Sequence, residues 1–202
     1  VYGTPNYLPI DEKHKLNPEN FYGYTKLEIE QTLNWFSKLR NINYASLRYF
    51  NAAGYDLDGD IKGKESNPQN LLPIVMEVAD GTRKKMCVYG DNYETKDGSC
   101  IRDYIHVSDL ADAHILAMDY INKGKNLTVN LGSDKGYSVF EVLKEAEKVT
   151  EQKINFDVVG RRSGDPAIVY ASSKLAEELI GWKAKYSDLR TILMTMWKVY
   201  KP

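Results

Sequence analysis

The chain lacks several features that would place it in a specialised class of protein. It has only two cysteines, Cys87 and Cys100, too few for a disulfide framework or a cysteine-only zinc site. Its 27 basic and 28 acidic side chains give a net charge of −1, which does not favour binding to nucleic acid or to an anionic membrane. No apolar run approaches the roughly 20 residues of a bilayer span. We therefore expect a soluble, cytoplasmic protein that binds neither nucleic acid nor a membrane.

A second absence concerns phosphate binding. The glycines are scattered, and none follows a predicted strand at the spacing of a dinucleotide-binding Gly-x-x-Gly-x-x-Gly turn. The acidic residue expected about 20 positions after such a turn is missing as well. The sequence therefore contains no recognisable main site for a dinucleotide pyrophosphate.

What the chain does have is an alternation of predicted strands and helices. Apolar residues at helical spacing predict a helix over residues 20–39. Ser138 with Glu141 is typical of a capping box at a helix start, and Ser108 is typical of a helix N-cap. Short apolar runs predict strands over residues 44–50, 86–89, 128–131 and 154–159. This alternation predicts an α/β fold with parallel strands.

Tyr22 and Lys26 form the first candidate for chemistry. Residues four apart share one face of a helix, so both polar groups can enter one cleft. A tyrosine phenol is a weak base at neutral pH, and a neighbouring ammonium favours its ionised form. The pair is therefore a candidate general base, although an isolated Tyr-x-x-x-Lys is a weak signal.

Longer motifs surround this pair and follow it along the chain. They are Asn17-Pro18-x-x-x-Tyr22-Gly23-x-x-Lys26, Leu47-Arg48-Tyr49-Phe50-Asn51, Tyr89-Gly90-x-x-Tyr93-x-Thr95-x-Asp97-Gly98-Ser99, Arg102-Asp103-Tyr104-Ile105-His106-Val107, and Arg161-Arg162-x-Gly164-Asp165. In this order they resemble the extended short-chain dehydrogenase/reductases, specifically the UDP-glucose 4-epimerases. The resemblance covers nearly all of residues 1–202.

The resemblance implies a fold and an activity. The fold would be the later part of a Rossmann-type parallel sheet plus a smaller mixed α/β substrate-binding lobe. Residues 1–54 would end the dinucleotide-binding domain, and residues 55–202 would form the nucleotide-sugar lobe, with residues 102–132 returning to the sheet. The activity would be NAD-dependent interconversion of UDP-glucose and UDP-galactose through a 4-keto intermediate, in a homodimer.

The resemblance also implies roles for individual residues. Tyr22 matches the catalytic tyrosine, Lys26 the lysine that binds the cofactor ribose, and Tyr49 a residue near the nicotinamide. The implied contacts to the UDP-hexose substrate are Phe50, Asn51, Asn70, Leu71, Cys87, Val88, Tyr89, Arg102, Arg162 and Asp165. Among them the two arginines match phosphate ligands, since a guanidinium offers a planar fork of donors, and Asp165 matches the carboxylate on the uridine ribose.

Two histidines do not indicate a metal site. His106 and His114 lie eight residues apart with no third ligand at metal spacing, so we expect structural roles and no bound metal.

Val169 bears on substrate choice. It occupies the position that lies near the sugar in the family, where a bulky aromatic residue would confine the pocket to plain hexoses. Valine is small enough to leave room for an N-acetyl arm. We therefore expect UDP-N-acetylhexosamines to be accepted too.

The resemblance leaves two questions open. In the family a glycine-rich turn and a catalytic serine or threonine precede Val-Tyr-Gly, and this chain begins at Val1-Tyr2-Gly3. We therefore expect an N-terminally truncated chain that binds NAD weakly and is inactive alone. The alternatives are a nucleotide-sugar 4,6-dehydratase, a UDP-glucuronate epimerase or decarboxylase, or a non-catalytic UDP-sugar-binding module.

Overall fold

A computed structural model describes residues 1–201 as six helices and nine short strands. The helices are α1 (Phe21–Arg40), α2 (Leu71–Ala79), α3 (Val107–Ile121), α4 (Val139–Thr150), α5 (Lys174–Ile180) and α6 (Leu189–Tyr200). The strands are β1 (Ala45–Tyr49), β2 (Asn51–Ala53), β3 (Met86–Tyr89), β4 (Ile101–Arg102), β5 (Tyr104–His106), β6 (Leu127–Leu131), β7 (Tyr137–Ser138), β8 (Phe156–Val159) and β9 (Ile168–Val169).

Most strand pairs are parallel, which confirms the predicted α/β fold. Strand β1 pairs with β6, from Ala45 opposite Leu127 to Tyr49 opposite Leu131. Strand β2 pairs with β5 and β3 with β8, both parallel. Strand β4 lies between antiparallel β7 and parallel β9. Parallel neighbours require crossover connections, and the intervening helices supply them.

Two large hydrophobic cores organise these elements. The first lies among α2, α4 and α6 and includes buried Val75, Val142 and Ile192. The second lies between the β1–β6 pair and helices α3 and α5, around buried Val129 and Trp182. The proposed domain boundary at residue 54 stays a prediction.

The helix starts show where local sequence signals hold and where they fail. The capping box of α4 is confirmed, because Ser138 Oγ accepts from the Glu141 N–H at 3.0 Å and Glu141 Oε2 accepts from the Ser138 N–H at 2.9 Å. Ser108 as the N-cap of α3 is wrong. The cap is His106, whose Nδ1 accepts from the Ser108 N–H at 3.1 Å. A side chain at the end of a buried strand thus replaces the expected serine.

His106 is structural, and it uses both ring nitrogens. Since Nδ1 accepts a hydrogen bond, Nε2 carries the proton and donates to Thr195 Oγ1 at 3.1 Å. The ring is fully buried, and burial lowers the pKa of His106. Gly54, at φ +84°, lies directly against the His106 ring. A Cβ at this position would lie 2.5 Å from the imidazole, so only glycine fits there.

The small residues in Asn51-Ala52-Ala53-Gly54 are typical of a turn, but residues 51–53 form strand β2. The backbone N–H of Asn51 donates to Asp103 O at 3.1 Å, and β2 continues beside β5 as far as Ala53. The long-range partner decides this, since small residues adopt an extended backbone whenever a neighbouring strand accepts their hydrogen bonds.

Asp103 is a buried carboxylate that ties several elements together. Ser133 donates to it through both N–H and Oγ, and the Ala171 N–H donates at 3.1 Å. Burial raises the pKa of Asp103 to about 6, although these donors oppose the shift. The carboxylate is therefore charged at neutral pH and anchors the chain after β6 and after β9.

Neither a membrane helix nor a metal cluster occurs in the part of the chain that the structure describes. Within residues 1–201 no helix has the length and hydropathy that crossing a bilayer requires. The same residues contain no group of three His, Cys, Asp or Glu side chains placed to hold a metal ion.

Candidate functional site

Two adjoining cavities open beside the β1–β6 pair. The first, here called the Arg102 cavity, has a volume of about 370 Å³. The second, the Tyr22 cavity, has a volume of about 480 Å³ and lies between α1 and β1. Tyr49 and Phe50, at the end of β1, line both cavities. One ligand can therefore extend from one cavity into the other past these two residues.

Every site residue expected from the sequence lines one of these cavities. Tyr22, Lys26 and Val169 line the Tyr22 cavity. Besides the shared pair, the Arg102 cavity is lined by Asn51, Asn70, Leu71, Cys87, Val88, Tyr89, Arg102, Arg162 and Asp165. Residues from the first turn of α1 to β9 thus meet in one region, while their individual roles stay predictions.

Tyr22 and Lys26 lie at the start of α1, which Asn20 caps by accepting from the Gly23 N–H at 2.8 Å. Lys26 Nζ lies 5.0 Å from the centroid of the Tyr22 ring, as the four-residue spacing predicts. The Tyr22 side chain is 70% exposed, so its phenol is accessible from the cavity. The helix start therefore offers a phenol and an ammonium to the same ligand.

The arginines of the Arg102 cavity are held by neighbouring groups. Arg102 donates one hydrogen bond to Ile101 O at 2.8 Å and pairs with the Asp165 carboxylate. The Arg162 guanidinium stacks 3.8 Å from the centroid of the Tyr89 ring. A guanidinium has five N–H donors, so both residues keep donors for a phosphate. Two cations in one cavity suit a diphosphate.

The N-terminus of α2 forms another part of this cavity. Asn70 is the N-cap with an extended backbone, and its side chain makes no capping hydrogen bond. Asn70 and Leu71 both line the cavity. The N–H groups of a first helical turn lack helical partners and attract anions, and the Asn70 amide is available as well.

Strand β3 supplies a wall whose side chains alternate. Met86 and Val88 are buried, whereas Cys87 and Tyr89 are exposed. Both cysteines line the cavity as free thiols, and burial raises the pKa of Cys100. The wall therefore combines an aromatic ring, backbone polar groups and a free thiol.

Sequence reasoning assigned no site role to some of the lining residues. Gln69, Cys100 and Tyr104 line the Arg102 cavity, and Glu30 and Arg48 line the other. From the sequence Arg48 is an ordinary arginine, expected at a solvated or ion-paired surface position. Its side chain is in fact only 10% exposed. The available signal was its place inside a short apolar strand, since arginine is seldom buried without a partner.

The Tyr22 cavity fits the ribose and nicotinamide end of NAD. Tyr22 and Lys26 can hydrogen-bond to ribose hydroxyls, and the Tyr49 ring lies on the same wall. Ser46 Oγ is buried on this wall without a hydrogen-bond partner among residues 1–201. A buried hydroxyl of this kind favours a polar ligand. The residues for the other end of a dinucleotide are not recognisable in this sequence.

Comparisons with known proteins show which chains and structures this one is similar to. The chain is 46% identical over all 202 residues to a UDP-glucose 4-epimerase of Halalkalibacterium halodurans. Its structure matches the UDP-glucose 4-epimerase of Brucella ovis in complex with NAD with a TM-score of 0.93 and 45% identity, over 96% of this chain and 60% of the other. The match to the UDP-glucose 4-epimerase of Bifidobacterium longum in complex with NAD⁺ and UDP has a TM-score of 0.89 and 40% identity. It covers 98% of this chain and 60% of the other.

These similarities confirm the predicted resemblance to UDP-glucose 4-epimerases and the Rossmann-type α/β fold. The chain spans 60% of the length of the Halalkalibacterium protein. The family described as GDP-mannose 4,6 dehydratase matches residues 1–196. Because this match covers almost the whole chain, the chain belongs to the GDP-mannose 4,6 dehydratase family.

Proposed function

We propose that the full-length gene product interconverts UDP-glucose and UDP-galactose by epimerisation at C4 of the hexose, with NAD as cofactor. The observation that carries the proposal is the pair of adjoining cavities: cationic and helix-end groups line one, and the Tyr22–Lys26 pair lines the other. The 46% identity to a UDP-glucose 4-epimerase supports the same activity.

In this mechanism the Arg102 cavity anchors UDP. Arg102, Arg162 and the start of α2 bind the diphosphate, and Asp165 accepts from the ribose hydroxyls. Tyr89 and the backbone of β3 meet the uracil. Because most directional contacts address UDP, the hexose is held loosely and can turn over beside Tyr22. Inversion needs this combination of a tight anchor and a loose sugar.

The Tyr22 phenolate takes the proton from the sugar 4-hydroxyl and returns it after the sugar has turned. Lys26 supports the ionised phenol and holds the cofactor ribose. Tyr22, Lys26 and Tyr49 would hold the nicotinamide end of NAD, which would supply reversible hydride transfer at C4 and so allow a 4-keto sugar. The protein contributes orientation, charge and one proton acceptor.

Tyr22→Phe removes the proton acceptor and leaves the ring in place. We expect kcat for UDP-galactose conversion to fall about 100- to 10,000-fold in the full-length gene product, the range typical of a lost acid–base group, while UDP affinity stays unchanged. A coupled assay and calorimetry measure the two quantities. Tyr24→Phe, on the same helix and outside both cavities, serves as the control. Near-normal kcat in Tyr22→Phe would refute the role of Tyr22.

Arg162→Gln tests the diphosphate site. Losing a charged donor to phosphate should weaken UDP binding about 10-fold or more, since such hydrogen bonds contribute about 1.5–3 kcal/mol. Arg161→Gln is the matched control, because Arg161 donates to Asn92 Oδ1 at 2.7 Å and stacks on Tyr93 instead. Calorimetric titration with UDP measures both variants. An equal loss of UDP affinity in both variants would contradict a specific phosphate contact by Arg162, because it would show an effect of net charge alone.

We propose further that UDP-N-acetylhexosamines are substrates. Val169 supports this, because it is a medium-sized side chain on the wall of the Tyr22 cavity. We expect UDP-N-acetylglucosamine to be turned over, and Val169→Tyr to abolish this while conserving UDP-galactose turnover, because the aromatic ring would fill the space of the N-acetyl arm. Robust UDP-galactose turnover without any UDP-N-acetylglucosamine turnover in the parent protein contradicts the proposal.

We also propose a cytoplasmic homodimer with α1 at the interface. Besides the cavity residues Tyr22 and Ile29, five large side chains of α1 are at least half exposed, which favours a further partner surface; they are Phe21, Tyr24, Trp35, Phe36 and Leu39. The two free thiols fit a reducing compartment. Sedimentation velocity of the full-length gene product should give a dimer, because burying these side chains stabilises association. A monomer at micromolar concentration would argue against it.

Nucleotide-sugar 4,6-dehydration is the second candidate, because the matching family carries the description GDP-mannose 4,6 dehydratase. Product analysis separates the two reactions. Epimerisation conserves the mass of the sugar, whereas 4,6-dehydration removes one water.

A further inference from the structure

Helix α1 carries Tyr22 and Lys26, yet none of its own residues is buried in the described part of the chain. Its apolar stripe includes Ile29 and Phe36, both about half exposed. Helices in globular proteins are usually held by burying such a stripe. Within residues 1–201, contacts other than full burial therefore contribute to the position of α1 relative to β1.

An ion pair joins α1 to β1. Arg48 Nε donates to Glu30 Oε1 at 2.9 Å, and Arg48 Nη2 donates to Glu30 Oε2 at 2.6 Å. The side chains are only 10% and 18% exposed, so water and salt screen the pair weakly. Two parallel hydrogen bonds between planar groups fix an orientation as well as a distance.

The pair is anchored to the sheet beyond β1. Arg48 Nη1 also donates to the Tyr2 hydroxyl at 2.9 Å, and that hydroxyl donates to Asn130 Oδ1 on β6 at 2.6 Å. Tyr2 and Asn130 are buried. A continuous line of hydrogen bonds thus runs from Glu30 on the helix to the second strand of the sheet.

Glu30 stands one helical turn after Lys26 and about two turns after Tyr22, so the three share one face. All three line the Tyr22 cavity together with Arg48. Because a helix is stiff over two turns, holding Glu30 fixes how far Tyr22 reaches into the cavity. Sliding or rolling the helix would move the phenol away from the substrate.

We propose that Glu30 and Arg48 are positioning residues, which set the place of Tyr22 and Lys26 by locking α1 to the β1–β6 pair. The inference rests on the proposed function for its effect on turnover. Its effect on the helix is independent of that function.

The test compares three variants of the full-length gene product. Glu30→Gln removes one charge of the pair. The double variant Glu30→Met/Arg48→Met replaces both partners with apolar groups, an exchange that often leaves stability unchanged. Glu28→Gln is the control, since Glu28 is exposed on the same helix. Readouts are kcat and KM for UDP-galactose, melting temperature, and amide hydrogen exchange.

We expect kcat to fall about 10- to 100-fold in Glu30→Gln and in the double variant, because a displacement of about 1 Å can cost that much. The KM for UDP-galactose should stay within about 2-fold, since the Arg102 cavity is untouched. Hydrogen exchange should rise in α1 alone. Recovery of normal kcat in a stable double variant, or exchange that is unchanged in α1, overturns the inference.

Two further outcomes are decisive. If Glu30→Gln leaves Arg48 unpaired and does not fold, the double variant carries the comparison. If the parent protein has no epimerase activity, the proposed function fails, and hydrogen exchange still decides whether the pair holds α1. Hydrogen exchange that rises throughout the protein, together with a loss of substrate affinity, would show that Glu30 and Arg48 only stabilise the fold. That result would refute their role as positioning residues.

Discussion

The buried carboxylate of Asp103 connects the two cores of the fold and the wall of the Arg102 cavity. The next two residues diverge, Tyr104 into the first core and Ile105 into the second. Burying a charge costs free energy unless donors face it, and Ser133 and Ala171 supply those donors. The direction of β4, and with it the place of Arg102, depends on this junction.

The two cavities differ in the polar groups that line them. Charged and helix-end groups converge in the Arg102 cavity, where Arg102 pairs with Asp165 across 63 residues of sequence. The Tyr22 cavity has few fixed donors and a phenol on an exposed helix turn. Tyr49 and Phe50 join the cavities because consecutive residues at the end of β1 reach both. Under the proposed function, such a site would hold a nucleotide firmly and leave a sugar free to change orientation.

Helix α1 is predicted almost to the residue, from about Asn20 to Leu39 against the observed Phe21–Arg40. Its environment is not predictable in the same way. Apolar spacing indicates a helix with an apolar face. Within residues 1–201 much of that face is exposed, and the Arg48–Glu30 pair is one contact with the sheet. A periodic pattern identifies the side that seeks a partner, and it carries no information on which partner lies there.

Features that depend on neighbours in the chain were predictable: the capping box at Ser138, the shared face of Tyr22 and Lys26, the strand–helix alternation and the order of the motifs. The other features arise only from long-range packing. His106 caps α3 in place of Ser108, residues 51–53 form a strand, and Arg48 is buried against Glu30. The physical reason is that short-range hydrogen bonds are set by local spacing, whereas burial and long-range pairing exist only after distant segments pack together.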